Sequence, residues 1–418
     1  MGPITLFDKS FLQSLSLDES VWFGHYFKPV VCPVFFVETL ADLEKAVAEG
    51  RTPEQVVGVI ADKFPEMSAD PCTYHQSLAI GELHGHAVPM DGRIPISGGR
   101  VVKRDGKVGM VFDQSPEAKA FNRWQEGRFL DVERGMAKQW RAELGALDLK
   151  PITENIRKIG IDQSLCKTLE DCKSLAETII RDRSKPFERM ALAIAFLRVP
   201  RQYHHDILRR WSLSGYQRID QYAPYTAYVM TVELFFFFAV AAHLISDQRA
   251  SNRVDISYLH YLPFGHLFVS SDRLHRRCAP QFLRDDQRFV WGQDLKKDLL
   301  EINEHFKDLP EAELARGIMA FAKAPPETST SLTLGLRRDF LRPGIDDEIP
   351  DPPPHDTEAT RKLIEDIKKW EKAPGADHSE LPDDDEDLQA MTFQRMVPKK
   401  KGSWWVLPKD LEPNDDEG

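Results

Sequence analysis

The chain has 418 residues, 42% apolar and 10% aromatic, enough for one large packed domain or two to three ordinary ones. Its formal charge of −11 is concentrated: from Gly344 onward 21 acidic residues face 10 Lys and Arg, and the remainder is balanced. That balance argues against nucleic-acid binding driven by net charge, while leaving room for an enzyme that engages nucleic acid through local basic residues and a metal.

In chain order, Ile4 to Phe7 is strand-like and ends on Asp8. Phe11, Leu12 and Leu15 are spaced as in a short helix, and Asp18-Glu19-Ser20 starts another through VWFGHYF. Val30-Val31 and Val34 to Val37 read as extended chain, after which Glu38-Thr39 opens a helix ending near Gly50. Pro53 begins a further helix. Arg104-Asp105-Gly106 lies between two extended arms and predicts a β-hairpin. Helical periodicity then dominates to Leu213.

The most hydrophobic stretch, Tyr228 to Ile245, is interrupted by Glu233 and His243 and reads as a buried helix rather than a membrane span. The buried Glu233 needs a partner: a metal, or an Arg from the middle of the chain. A helix opening at Asp255 follows, then a strand ending at Ser270-Ser271-Asp272, then Phe289-Val290-Trp291 leading into a last helix. Past about Lys323 the Pro-rich, acidic composition predicts a disordered tail. Within it Trp404-Trp405 marks a docking segment near 396–408, either for the chain's own body or for a protein partner.

Five cysteines, odd in number and without a CxxC, argue against a disulfide framework or a thiolate zinc site. With MGPITLFDKS showing no secretory pattern, a cytoplasmic location is expected. No P-loop, GxGxxG, HExxH or GxSxG motif occurs. His84-Gly85-His86 reads as a surface loop, and His204-His205 as part of a solvated helix with Arg201, Arg209 and Arg210.

Asp8, Glu38, Asp255 and Asp272 sit at the ends of elements. In a parallel sheet the carboxyl ends of the strands and the helix starts share one edge, where ligands bind. Each acid alone is most simply a helix cap. Together, without matching cations, they would repel one another unless a hard ion such as Mg²⁺ or Mn²⁺ lay between them.

LFDKSF, CPVFFVETLADL and VDISYLHYLPFGHLFVSSDRLH, in that order, resemble the PIN-like nuclease family. The resemblance spans roughly Met1–Arg51 and Tyr225–Phe306 and is missing from the residues between. It implies an α/β, three-layer core with a parallel sheet. That core is formed by 1–60 and 220–323 and interrupted by a mainly helical insertion, 61–219, which carries the hairpin; 324–418 is the acidic tail. It further implies that Asp8, Glu38, Asp255 and Asp272 hold Mg²⁺ or Mn²⁺ and hydrolyse phosphodiesters, RNA more than DNA. Ser270 or Ser271 would orient a carboxylate or phosphate. Lys9, Arg273 and Arg276 flank the acids and are the expected phosphate contacts. Members commonly dimerise, so a homodimer is a further expectation. Two other readings stay open: a non-catalytic interaction protein on the same fold, and a metal-dependent phosphoesterase acting on a small substrate.

Overall fold

The structure is a computed structural model that describes residues 2–45, 50–65, 70–96, 99–112, 115–146, 148–158, 162, 164–341, 362, 365–366, 368–370, 372–376 and 398–410. It is an α/β protein whose centre is a parallel sheet of four strands: β1 (Ile4–Phe7), β2 (Lys28–Val31), β6 (Leu267–Ser270) and β7 (Arg288–Trp291). A two-residue strand, β3 (Asp70–Pro71), extends it, giving the order β3-β2-β1-β6-β7. β1 is central: Leu6 is in register with Val30 on one side and Phe268 on the other. All four residues of β6 are buried, and Leu6 and Phe7 of β1 are as well. These continuous apolar runs are what a strand covered on both faces requires. Because every pairing is parallel, the chain leaves β1, β6 and β7 at one edge, through Asp8, Ser271-Asp272 and Gly292.

The hairpin forms as the turn signal predicts, from β4 (Gly99–Arg104) and β5 (Lys107–Phe112). Asp105 and Gly106 take φ of 50° and 79°, the left-handed pair of a tight two-residue turn.

Two helix boundaries differ from expectation, and both move a candidate residue. The chain after β2 is helix, not strand: Pro33–Leu40 is helical with Pro33 in its first turn, so Glu38 lies well inside the helix instead of opening it. Proline's fixed φ starts the helix there, overriding the extended preference of the β-branched run. Likewise Asp255 is the fifth residue of the Ser251–Ser257 helix, not its first.

The apolar helix runs Pro224–Ala241, is 89% buried within the protein, and is by length and composition the one described helix that could cross a membrane. Apolar residues cover it all round, and the Leu169–Arg181, Lys150–Lys158 and His75–Leu83 helices pack around it. Its first turn is capped from outside: Glu82 accepts from the N–H groups of Tyr225 (3.0 Å) and Thr226 (2.7 Å). Glu233 pairs with Arg253, which lies beyond this helix and not in the middle of the chain, and with His260 Nε2 at 3.1 Å. Ala79, Cys172, Ala176 and Trp211 from the 61–219 segment belong to the same buried apolar cluster as the sheet.

The chain past Lys323 is more ordered than its composition suggests. Leu332–Phe340 is a helix packed on the Gly292–Lys307 helix. Buried Asp298 secures its start, accepting from Thr328, from Thr330 Oγ1 (2.5 Å) and from the N–H of Thr333 (2.8 Å). Within the described part of the tail, Trp404 docks on the protein's own body. It packs edge-on against Trp22 (4.7 Å between centroids), and both indole N–H groups donate to Asn303 Oδ1, at 2.9 and 3.0 Å. The expected disorder of 342–361 and 377–397 falls outside the described residues.

Trp404 is 3% exposed, whereas Trp405 lies partly exposed among Lys399, Lys400 and Lys409. Trp404→Ala should therefore lower unfolding free energy by about 3–5 kcal/mol, and Trp405→Ala by about 1 kcal/mol or less. Urea denaturation of both variants checks this; equal losses would mean that the segment is not seated as described.

Candidate functional site

Asp8 is at the centre of the edge. It terminates β1 and caps the helix Lys9–Ser14, with Oδ1 accepting from the N–H of Phe11 at 2.9 Å. Oδ2 accepts from Ser10 Oγ (2.7 Å) and Ser270 Oγ (2.7 Å) and lies 3.2 Å from His275 Nδ1. His275 Nε2 lies 2.7 Å from the carbonyl oxygen of Asp255. Both ring nitrogens thus face acceptors, an arrangement that suits an imidazolium. Burial alone would depress His275, but the hydrogen bond and charge of Asp8 outweigh it and hold the ring up at about 9. Burial likewise pushes Asp8 up, and His275 together with the Ser10 and Phe11 hydrogen bonds more than reverses that, leaving Asp8 below the usual carboxylate range.

The other acids surround this pair. Glu38 accepts from the Tyr258 hydroxyl; burial raises its carboxyl, and the nearby charge of Lys9 only partly offsets that. Asp272 caps the Arg273–Cys278 helix, accepting from the N–H of Leu274 at 2.5 Å. Asp255, partly buried, has no side-chain hydrogen-bond partner among the described residues. Burial raises its carboxyl most; His275 pulls it back, but Glu38, Asp272 and Asp8 add to the rise, to about 7. The sheet edge therefore brings all four predicted acids into one electrostatic neighbourhood.

They do not form a finished ion site. Among the described residues no three His, Cys, Asp or Glu side chains are grouped so as to hold a metal ion. Asp8 Oδ2, in particular, is turned onto Ser10, Ser270 and His275. The donor chemistry suits a hard divalent ion, but the spacing, as it stands, does not enclose one.

The remaining predicted residues divide. Ser270 is buried and bridges Asp8, His275 and the N–H of Asp272, so it holds a carboxylate and offers nothing outward. Ser271 Oγ meets Gln293 Nε2 at 3.3 Å. Lys9 is directed inward, donating to Asp42 (2.9 Å) and to the carbonyl of Glu38 (3.0 Å). Arg273 and Arg276 are exposed and have no acidic partner among the described residues.

Sequence reasoning missed His275 and Tyr258. The signal for His275 was present: it lies three residues after Asp272, one helical turn on, so it points back toward the strand end. Tyr258 carried no comparable signal, because its partner Glu38 is 220 positions away. A cleft of about 570 Å³ lined by Glu82, His86, Arg210 and Tyr222 contains none of the four acids.

The chain matches no known family, no curated protein and no solved structure.

Two pH effects follow. An aspartate whose folded pKa is raised to about 7, against 3.8 unfolded, opposes folding increasingly as pH rises between those values. Asp255→Asn should raise the melting temperature at pH 8 and leave it nearly unchanged near pH 4; no gain at pH 8 would mean that the acid is not crowded. His275, raised from 6.5 to about 9, contributes stability that is complete below pH 6.5 and lost as pH climbs through 9. The deficit of His275→Gln relative to wild type should accordingly shrink between pH 6 and pH 9.5 in chemical denaturation.

Proposed function

We propose that the protein is a PIN-like phosphodiesterase acting on nucleic acid, RNA by preference, with its reaction centre at the carboxyl edge of the sheet. The observation that carries this reading is Asp255: a carboxyl without a hydrogen-bond partner, raised to about 7 among three other acids. Such crowding is costly for a structural cluster and suits a site that receives a cation. Two further observations accord with it: the parallel order of β2, β1, β6 and β7, and the uncompensated Arg273 and Arg276 beside the acids.

A bound Mg²⁺ or Mn²⁺ would polarise the phosphoryl group and supply a hydroxide at neutral pH. Asp8, Glu38, Asp255 and Asp272 are the residues that would hold it. Ser270 keeps Asp8 aligned, and Tyr258 fixes one oxygen of Glu38. Arg273 would neutralise a phosphate of the substrate.

The non-catalytic alternative has one specific observation in its favour. His275 already gives Asp8 a positive partner, as in a site whose ion has been replaced by an internal charge.

Mn²⁺ titration separates the two readings. An ion that binds only the folded state raises stability by mass action, about 2.7 kcal/mol at a hundred times its Kd. Wild type should gain melting temperature with Mn²⁺, Asp8→Asn/Asp272→Asn should not, and only wild type should cleave a fluorogenic RNA. An unresponsive wild type would favour the interaction protein.

A further inference from the structure

The strand next to the carboxylates ends in a feature that the hydrolytic site does not use. Trp291 closes β7 in register with Ser270, placing the indole one strand over from the end of β6 that leads into Asp272, and two strands over from β1 and Asp8. The Arg276 guanidinium carbon lies 4.9 Å from the centroid of that indole. Arg276 is exposed and, like Arg273, has no carboxylate or carbonyl partner among the described residues. The Trp291 indole N–H also lacks a protein partner among them. Other exposed arginines are of both kinds: Arg93, Arg128 and Arg316 pair with a nearby acid, whereas Arg201 and Arg209 have no acidic partner among the described residues. What sets Arg276 apart is that its guanidinium lies over an indole beside an acidic edge.

The backbone holds this pair close to the site. Gly292, immediately after Trp291, packs so tightly that a Cβ there would lie 2.2 Å from Ser271 Oγ and 3.0 Å from Phe11. The end of β7 is therefore fixed against the Ser270-Ser271-Asp272 turn. Gln293 continues the same surface, exposed and reaching Ser271 Oγ.

We infer that Trp291 and Arg276 form a base-stacking shelf beside the carboxylates, on which one unpaired nucleobase of a single-stranded RNA lies against the open face of the guanidinium. An arginine plane is a sequence-tolerant stacking surface for a base, and it exceeds a lysine because it is flat and weakly hydrated. Trp291 is the positioning residue: its indole keeps the guanidinium flat and oriented, lowering the entropy lost on binding. A base must be unpaired to stack there, so the shelf selects single strands over duplexes. The inference deepens the nuclease reading and rests on it for the identity of the substrate.

The test is binding, kept apart from cleavage. Fluorescence anisotropy with a short fluorescein-labelled single-stranded RNA, in EDTA at low salt, compares the full chain with Arg276→Ala, Arg276→Lys and Trp291→Ala, each first checked for an unchanged melting temperature. A lost base stack should weaken binding about ten-fold. Arg276→Lys, which keeps the charge, should lose nearly as much as Arg276→Ala. An RNA abasic throughout should bind wild type no better than the intact RNA binds Arg276→Ala. Wild-type affinity in Arg276→Lys, or indifference to the abasic sites, overturns the shelf while leaving cleavage by wild type, assayed with Mn²⁺, to decide the nuclease reading. Absence of any RNA binding by wild type overturns the shelf outright. Loss of cleavage with stacking-dependent binding intact sinks the nuclease reading alone.

Discussion

The ion pair between Asp8 and His275 is the interaction on which the edge of the sheet depends. A carboxylate this deeply buried is tolerated only with a positive partner and a full set of hydrogen-bond donors. Asp8 has both, from four directions: Ser10 and Phe11 in the helix that follows it, Ser270 at the end of β6, and His275 one turn further on. The second ring nitrogen of His275 reaches the Asp255 carbonyl and draws in the Ser251–Ser257 helix. One neutralised carboxylate thereby fixes the relative positions of segments more than 250 residues apart in sequence, with 267 positions separating the pair itself.

The same pair divides the charge of the edge unevenly. Asp8 is satisfied from within, while Glu38, Asp255 and Asp272 share a neighbourhood with too little positive charge, and Asp255 carries the strain. The nearby cations have other partners: Lys9 pairs with Asp42 and only partly offsets Glu38, and Arg253 pairs with Glu233. Arg273 and Arg276 remain unpaired by acids but face solvent. The arrangement is thus negative within and positive at its rim, the opposite of a cluster of caps neutralised by its own lysines.

Local patterns made much of this legible. Continuous apolar runs located the strands, Asp105-Gly106 located the hairpin, and the acids after β1 and β6 were placed correctly because a strand end and a helix start coincide there. Glu38 and Asp255 were displaced by less than two helical turns, since valines and phenylalanines after Pro33 favour extended chain as readily as a buried helix. What sequence could not show is long-range satisfaction. The Thr328-to-Ser331 stretch has the composition of a linker, yet Thr328, Thr330 and Thr333 converge on Asp298, some 30 positions earlier. Tyr258 and Glu38 meet for the same reason, through tertiary packing alone.

The sharing of Asn303 by Trp22 and Trp404 has a consequence for synthesis. Next to it, the N–H of Ser403 donates to Asp18 across 385 positions. Proteins emerge from the ribosome N-terminus first. Trp22 therefore has Tyr26 and then Phe306 to stack against early, but waits for its edge-on contact with Trp404 until translation is nearly complete. A nascent chain interrupted before residue 404 leaves that side of Trp22, and the second acceptor position of Asn303 Oδ1, open to other partners.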